Sequence, residues 1–106
     1  MGEFNLQNGL KVPYRVVNLV VNAKLPLDEI DLEKVYLELL DKNYDVAYNP
    51  EEFPGVVIRY RGEDSKKVAS ILIFRTGSIV ISGISDLDRC KEVIERVLNE
   101  LMEISK

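Results

Sequence analysis

Val68-Ala69-Ser70-Ile71-Leu72-Ile73-Phe74-Arg75-Thr76-Gly77-Ser78-Ile79-Val80-Ile81-Ser82 is the stretch that decides the fold. It is dense in β-branched residues, and a tight-turn signal, Thr76-Gly77, interrupts it. It reads as two strands, Val68–Phe74 and Ser78–Ser82, joined closely enough to be antiparallel. Side chains alternate faces along a strand. Ile71 and Ile73 share one face and Ile79 and Ile81 share one, while Ser70, Leu72, Phe74, Ser78, Val80 and Ser82 point the other way.

Working outward, Gly55–Arg61 is a preceding strand, separated from Val68 by the polar loop Gly62-Glu63-Asp64-Ser65-Lys66-Lys67. Tyr44-Asp45-Val46-Ala47-Tyr48 is a short strand, and Asn49-Pro50 a turn. Asp28 or Asp31 caps a helix running to about Lys42, with Leu32, Val35, Tyr36, Leu39 and Leu40 on its apolar side. Pro13 to Leu25 reads as one strand closed by Pro26, and residues 1–12 as a loosely ordered leader to a single unit, residues 13–106. After the last strand, Ser85 begins a long helix with Asp88 as its capping-box partner. Its stripe is Leu87, Cys90, Val93, Ile94, Val97, Leu98, Leu101 and Met102. The expected architecture is α+β: β-α-β-β-β-β-α, a curved antiparallel sheet with two helices on one face.

The chain has 106 residues, 46% of them apolar, which suits one domain. It contains no His and a single Cys, Cys90, so a His-based triad, a Cys–His pair and a zinc cluster are excluded within one chain. No phosphate-binding glycine loop is present. No convergent acid–base pair or ligand set appears, so neither enzyme, metal nor cofactor is expected. The lone Cys and the lack of a cleavable leader suggest a reducing, cytoplasmic setting. No apolar run is long enough to span a membrane.

The two sheet faces differ. Val17, Leu19, Val21, Val56, Ile58 and Tyr60 join the isoleucines on an apolar side suited to the helices. The other side mixes Val16, Val20, Val57, Leu72, Val80 and Phe74 with Asn18, Asn22, Ser70, Ser78, Ser82, Arg59 and Arg61. It is too apolar for an ordinary wet surface and too polar for core, as at an interaction site. A partner sheet or the leader packed on this side is the plainer alternative.

The segment Tyr48-Asn49-Pro50-Glu51-Glu52-Phe53-Pro54-Gly55-Val56-Val57-Ile58-Arg59 resembles a signature of the TATA-box-binding protein family, especially its archaeal members. Ile71–Gly83 and Val17–Val21 resemble two further segments of that family, in the same order. In the family, two repeats form a saddle whose concave sheet enters the DNA minor groove with phenylalanine wedges, the standard example of that binding mode. One repeat is present here, so the resemblance implies a homodimer, or pairing with another half-saddle. It implies that Phe53 and Phe74 are the wedges, with Pro54 beside them, and that Asn18 meets base edges. Val20, Leu72 and Val80 then lie on the groove floor, Ser82 keeps a hydroxyl near it, and Arg59 meets phosphate. Arg61, Arg75 and Thr76 are further phosphate candidates. The implied partner is A·T-rich double-stranded DNA, with transcription initiation factors as possible protein partners and a cytoplasmic, nucleoid-associated location.

Two departures stand out. Family lysines that commonly touch phosphate are replaced by Ser78 and Ser85. Each lost contact lowers the salt slope of DNA binding by roughly 0.9. These serines favour an alternative, a protein-interaction module that kept the fold and lost strong DNA binding. The net charge of −4 looks hostile to DNA, but it is unevenly distributed. The helical segments 27–42 and 86–105 carry −7, whereas the strand-bearing segments 11–26 and 53–83 carry +6.

Overall fold

A computed structural model describes residues 2–17, 20–27, 29–61, 68–84 and 86–104. The strands are β1 (Gly2–Asn5), β2 (Lys11–Val17), β3 (Val20–Lys24), β4 (Val46–Ala47), β5 (Gly55–Arg61), β6 (Val68–Phe74) and β7 (Ser78–Ser82). The helices are α1 (Leu32–Asp41) and α2 (Leu87–Ile104). One antiparallel sheet of order β1-β2-β3-β7-β6-β5-β4 holds all seven strands, and both helices cover the same face.

The expected α+β layering is present, and β5, β6 and β7 have the bounds read from the sequence. Two adjacent isoleucine pairs, Ile71 with Ile81 and Ile73 with Ile79, are fully buried at the centre of the helix-covered face. Each such side chain contributes roughly 1.5–3 kcal/mol by leaving water. Val21, Ala23, Val56 and Ile58 extend this surface, and Val35, Leu39, Val93, Ile94, Val97, Leu98 and Leu101 pack onto it from the helices.

The N-terminal part departs from expectation. The stretch read as one strand folds back on itself: Val17 pairs with Val20, Val16 with Val21 and Tyr14 with Ala23. Fully extended, residues 13–25 would run roughly 43 Å. The whole molecule measures 31 × 30 × 24 Å, so a straight strand would overhang the sheet. The loose leader is likewise corrected: β1 pairs with β2, and Phe4, Leu6 and Val12 are buried in the core. The Phe4 ring stacks on Tyr14 at 4.2 Å. Apolar residues at alternate positions, Phe4, Leu6, Leu10, Val12 and Tyr14, let this segment add two strands.

Asp31 is the α1 N-cap, its carboxylate accepting from the Lys34 amide at 3.2 Å. At the start of α2, the Asp86 carboxylate accepts from the Asp88 amide at 2.9 Å. Ser85, expected as the cap, lies outside the described residues. Three expected core positions are exposed instead: Leu40, Leu87 and Met102. They sit at the margins of their stripes, beyond the width of the sheet that the helices cover.

Candidate nucleic-acid interface

The uncovered face is built in rows that cross the strands. One row runs Arg59, Ser70, Ser82, Val20, Val17; the next runs Val57, Leu72, Val80, Asn22, Arg15. Val20, Val57, Ser70, Leu72, Val80 and Ser82 are half-buried, whereas Arg15, Val17, Asn22 and Arg59 are exposed. Apolar floor and hydroxyls therefore form the middle, with arginines toward both sides. Arg15, Arg59 and Arg75 make no ion pair with a described residue. No carboxylate belongs to either of these two rows; Glu3, opposite Pro13, is on the same face farther out on β1 and pairs with Lys11 at 4.0 Å.

Phe53 and Phe74 stand at one end of this face. Their ring centroids are 5.6 Å apart at 62°, an edge-to-face pair. The pair depends on Gly55, which lies opposite Phe74 in the β5–β6 ladder. A Cβ on Gly55 would fall 2.9 Å from the Phe53 ring and 3.1 Å from the Ile73 carbonyl oxygen. The turn before Gly55 is held by the Phe53 and Glu52 amides, both donating to the Asn49 carbonyl, at 2.9 and 3.0 Å. Asn49-Pro50-Glu51-Glu52-Phe53-Pro54-Gly55 thus positions one ring against the end of β6. A shallow groove beside the pair is lined by Leu32, Tyr48, Pro50, Pro54, Arg75 and Thr76.

Each sequence-derived candidate can be placed. Val20, Leu72, Val80, Ser82 and Arg59 share the open face, with Phe53, Phe74 and exposed Pro54 at its end. Arg75 and Thr76 are exposed in the β6–β7 turn, where the Thr76 hydroxyl donates to Ser78 Oγ at 3.3 Å. Asn18 and the side chain of Arg61 lie outside the described residues, as does loop 62–67.

The fold-back of β2 changes face assignments. Val17 joins the open face opposite Val20, and Val16 moves to the helix side opposite Val21, the reverse of the straight-strand expectation. Arg15 becomes an open-face cation opposite Asn22. Reading the segment as one strand puts Arg15 on the apolar side, so no pattern in the sequence could have found it. Lys24, also on this face, donates to the Leu25 and Leu27 carbonyls, both at 2.9 Å, and is committed to the strand end.

Among the described residues no group of acidic, His and Cys side chains could hold a metal ion, and no helix is long and apolar enough to cross a membrane.

Comparisons with known proteins place this arrangement. The family described as "Transcription factor TFIID (or TATA-binding protein, TBP)" matches residues 13–104. A TATA-box-binding protein of Thermococcus kodakarensis is 37% identical over 93 residues, 88% of this chain and 44% of the relative. TATA-box-binding protein E of Halobacterium salinarum is 42% identical over 95 residues, 90% of this chain and 46% of the relative. The solved structure of Methanococcus jannaschii TBP superposes with a TM-score of 0.65 at 30% identity, over 80% of this chain and 45% of that one. The chain spans about half the length of these relatives. With the signature turn, the apolar–hydroxyl face and the curved antiparallel sheet under two helices all accounted for, this chain belongs to the TATA-box-binding protein family, as a single half-length repeat.

Proposed function

We infer that this chain is a DNA-binding, transcription-factor-like protein whose open sheet face meets A·T-rich duplex in the minor groove. The observation that carries this reading is the Phe53–Phe74 edge-to-face pair at the end of a face whose two cross-strand rows hold arginines, hydroxyls and apolar side chains and no carboxylate. Apolar wedges unstack a base step and bend the duplex onto a wider protein surface. Val20, Leu72 and Val80 supply flat apolar contact, Ser82 and Asn18 supply hydrogen-bonding groups, and Arg59, Arg61, Arg75 and Thr76 reach phosphate. The minor groove mainly separates A·T from G·C, so selectivity follows composition and deformability. One repeat carries one wedge pair, so two copies share a site, most simply as a two-fold pair forming the saddle. The outer edge of β3 is already held by β2, so side-by-side copies meet at the β1 side of the sheet. Such a protein works in the cytoplasm, on the nucleoid, without cofactor or catalysis.

Gel-shift titration on A·T-rich duplex tests this. Replacing Phe53 and Phe74 together by Ala should weaken binding roughly 10- to 100-fold, the loss of about 1.4–2.8 kcal/mol. Unchanged affinity would sink the wedge mechanism.

A second reading has its own support. Leu37 and Leu40 are exposed on α1 at 54% and 47%, among Glu33, Glu38 and Asp41. Such a patch suits a protein partner, and Ser78 and Ser85 replace family lysines. On this reading the chain binds a transcription factor and does not shift DNA. Sedimentation with and without duplex separates the two.

A further inference from the structure

We propose that Lys24 is a positioning residue: it does not meet phosphate itself, but fixes the β6–β7 turn from which Arg75 and Thr76 do. The proposal rests on the open face being a DNA interface. By charge and place, Lys24 would pass for one more phosphate contact. It is the last residue of β3, exposed on the open face and directly opposite Ser78. Its hydrogen bonds assign it elsewhere. The ammonium donates to the Leu25 and Leu27 carbonyls, both at 2.9 Å. Two of its three donors are therefore spent on the chain's own backbone.

What those carbonyls touch gives the lysine its role. Gly77, the turn glycine, is buried and takes a φ of +94°. A Cβ placed there would run into the Leu27 carbonyl oxygen, and would lie 2.6 Å from Lys24 Nζ and 3.3 Å from the Leu25 carbonyl oxygen. The segment after β3 thus lies directly against the turn, with two carbonyl oxygens converging on one point. Converging oxygens repel and need a donor, and a cation is the strongest one. Lys24 supplies it. Two backbone bonds complete the clamp: the Leu25 amide donates to the Gly77 carbonyl and the Ile30 amide to the Arg75 carbonyl, both at 2.9 Å. The side chains of Leu25 and Ile30 are buried, so the clamp is anchored in the core.

The result is a turn with a fixed backbone and free side chains. The Arg75 carbonyl is held by Ile30, while its exposed guanidinium makes no ion pair with a described residue. Thr76 is exposed beside it. A backbone set before binding spares the cost of ordering it on the ligand. Without the ammonium, the Leu25 and Leu27 oxygens lose their shared donor, the segment after β3 loosens from Gly77, and Arg75 loses its aim. Lys24 therefore acts on DNA through Arg75.

A double-mutant cycle separates action through Arg75 from direct contact. Affinity for A·T-rich duplex is measured by gel shift between about 50 and 200 mM salt, for the parent, Lys24→Met, Arg75→Ala and the double variant. Arg75→Ala should lower the slope of log affinity against log salt by about 0.9, and Lys24→Met by a comparable amount. The double variant should lose no more than Arg75→Ala alone. Lys24→Arg, which keeps a charged donor, should restore the parental slope. A double variant that loses about 1.8 would make Lys24 a phosphate contact in its own right and overturn the proposal. A parental slope in Lys24→Met would overturn it too. Amide exchange supplies an arm without DNA. In Lys24→Met the Leu25, Ile30 and Gly77 amides should exchange about tenfold faster, with Ile71 and Ile81 unchanged as the sign of an intact fold. Parental rates at all three sites overturn the clamp whether or not DNA binds. A parent that never shifts duplex refutes the DNA reading instead, and the exchange rates still decide the clamp.

Discussion

Two hairpins dominate the sheet, and they hold their shape for different reasons. β6–β7 closes on a turn in which the Gly77 amide donates to the Phe74 carbonyl at 3.0 Å and Gly77 takes a φ of +94°. Its strands bring four fully buried isoleucines to the core. β2 and β3 are joined in sequence by Asn18-Leu19, a pair without a glycine, and neither Val16 nor Val17 is buried. One hairpin is specified locally and by burial together. The other is specified by what lies beyond it, the alternate apolar residues of β1 and β2 that reach the core. A turn and a core that agree give a fixed element; a connection whose sequence carries no turn residue leaves the element to its tertiary contacts.

The contrast can be broken most sharply in the core. Ile81→Ala should cost about 3–4 kcal/mol in urea unfolding, and Val12→Ala about 2 kcal/mol, since both side chains are fully buried. A Val12 variant as stable as the parent would remove β2 from the cooperative unit. The glycine turns come next. Gly77→Ala should cost roughly 2–3 kcal/mol, because positive φ is compounded by a Cβ meeting the Leu27 carbonyl oxygen at 2.1 Å. Gly9, with a φ of +88° and nothing within 4 Å, should lose only about 1 kcal/mol as Ala. Equal losses would mean that the Leu27 contact carries no weight.

The arginines sharpen the comparison on the binding face. Arg59→Ala should reduce the slope of log affinity against log salt by about 0.9 if that residue meets phosphate. Arg15→Ala should do the same only if β2 keeps its place beside β3 on DNA. An unchanged slope for Arg15→Ala alone would show that the N-terminal strands stand clear of the duplex. The smallest effect concerns Cys90. Burial, and to a lesser extent the Asp86 carboxylate, push its thiol above the ordinary value near 9. The folded protein holds the neutral thiol, so this contribution is full below the unfolded pKa and fades as pH rises through the folded one. Stability should therefore decline modestly in the alkaline range, and Cys90→Ala should flatten that decline in thermal melts.

Much of the candidate face was legible from residues alone. Alternation in Gly55–Arg61, Val68–Phe74 and Ser78–Ser82 gave both faces, because a period of two has one solution once one side must be buried. Phe53 was found through the signature turn; that its ring meets Phe74 edge-on depends on Gly55, whose role is steric and visible only in three dimensions. Arg15 and Val17 were misplaced for the same reason that β2 was missed: local β-propensity does not say where a strand reverses.

The sequence by itself determined the central hairpin, the helices, the uneven charge and the family. Those features rest on periodicity and on residues with special backbone or chemical roles, all readable in order along the chain. Only the tertiary structure decided that residues 2–17 join the sheet and that Val17, not Val16, faces outward. That choice turns on where the sheet runs out of room and which apolar side chains find the core, and neither is a local property.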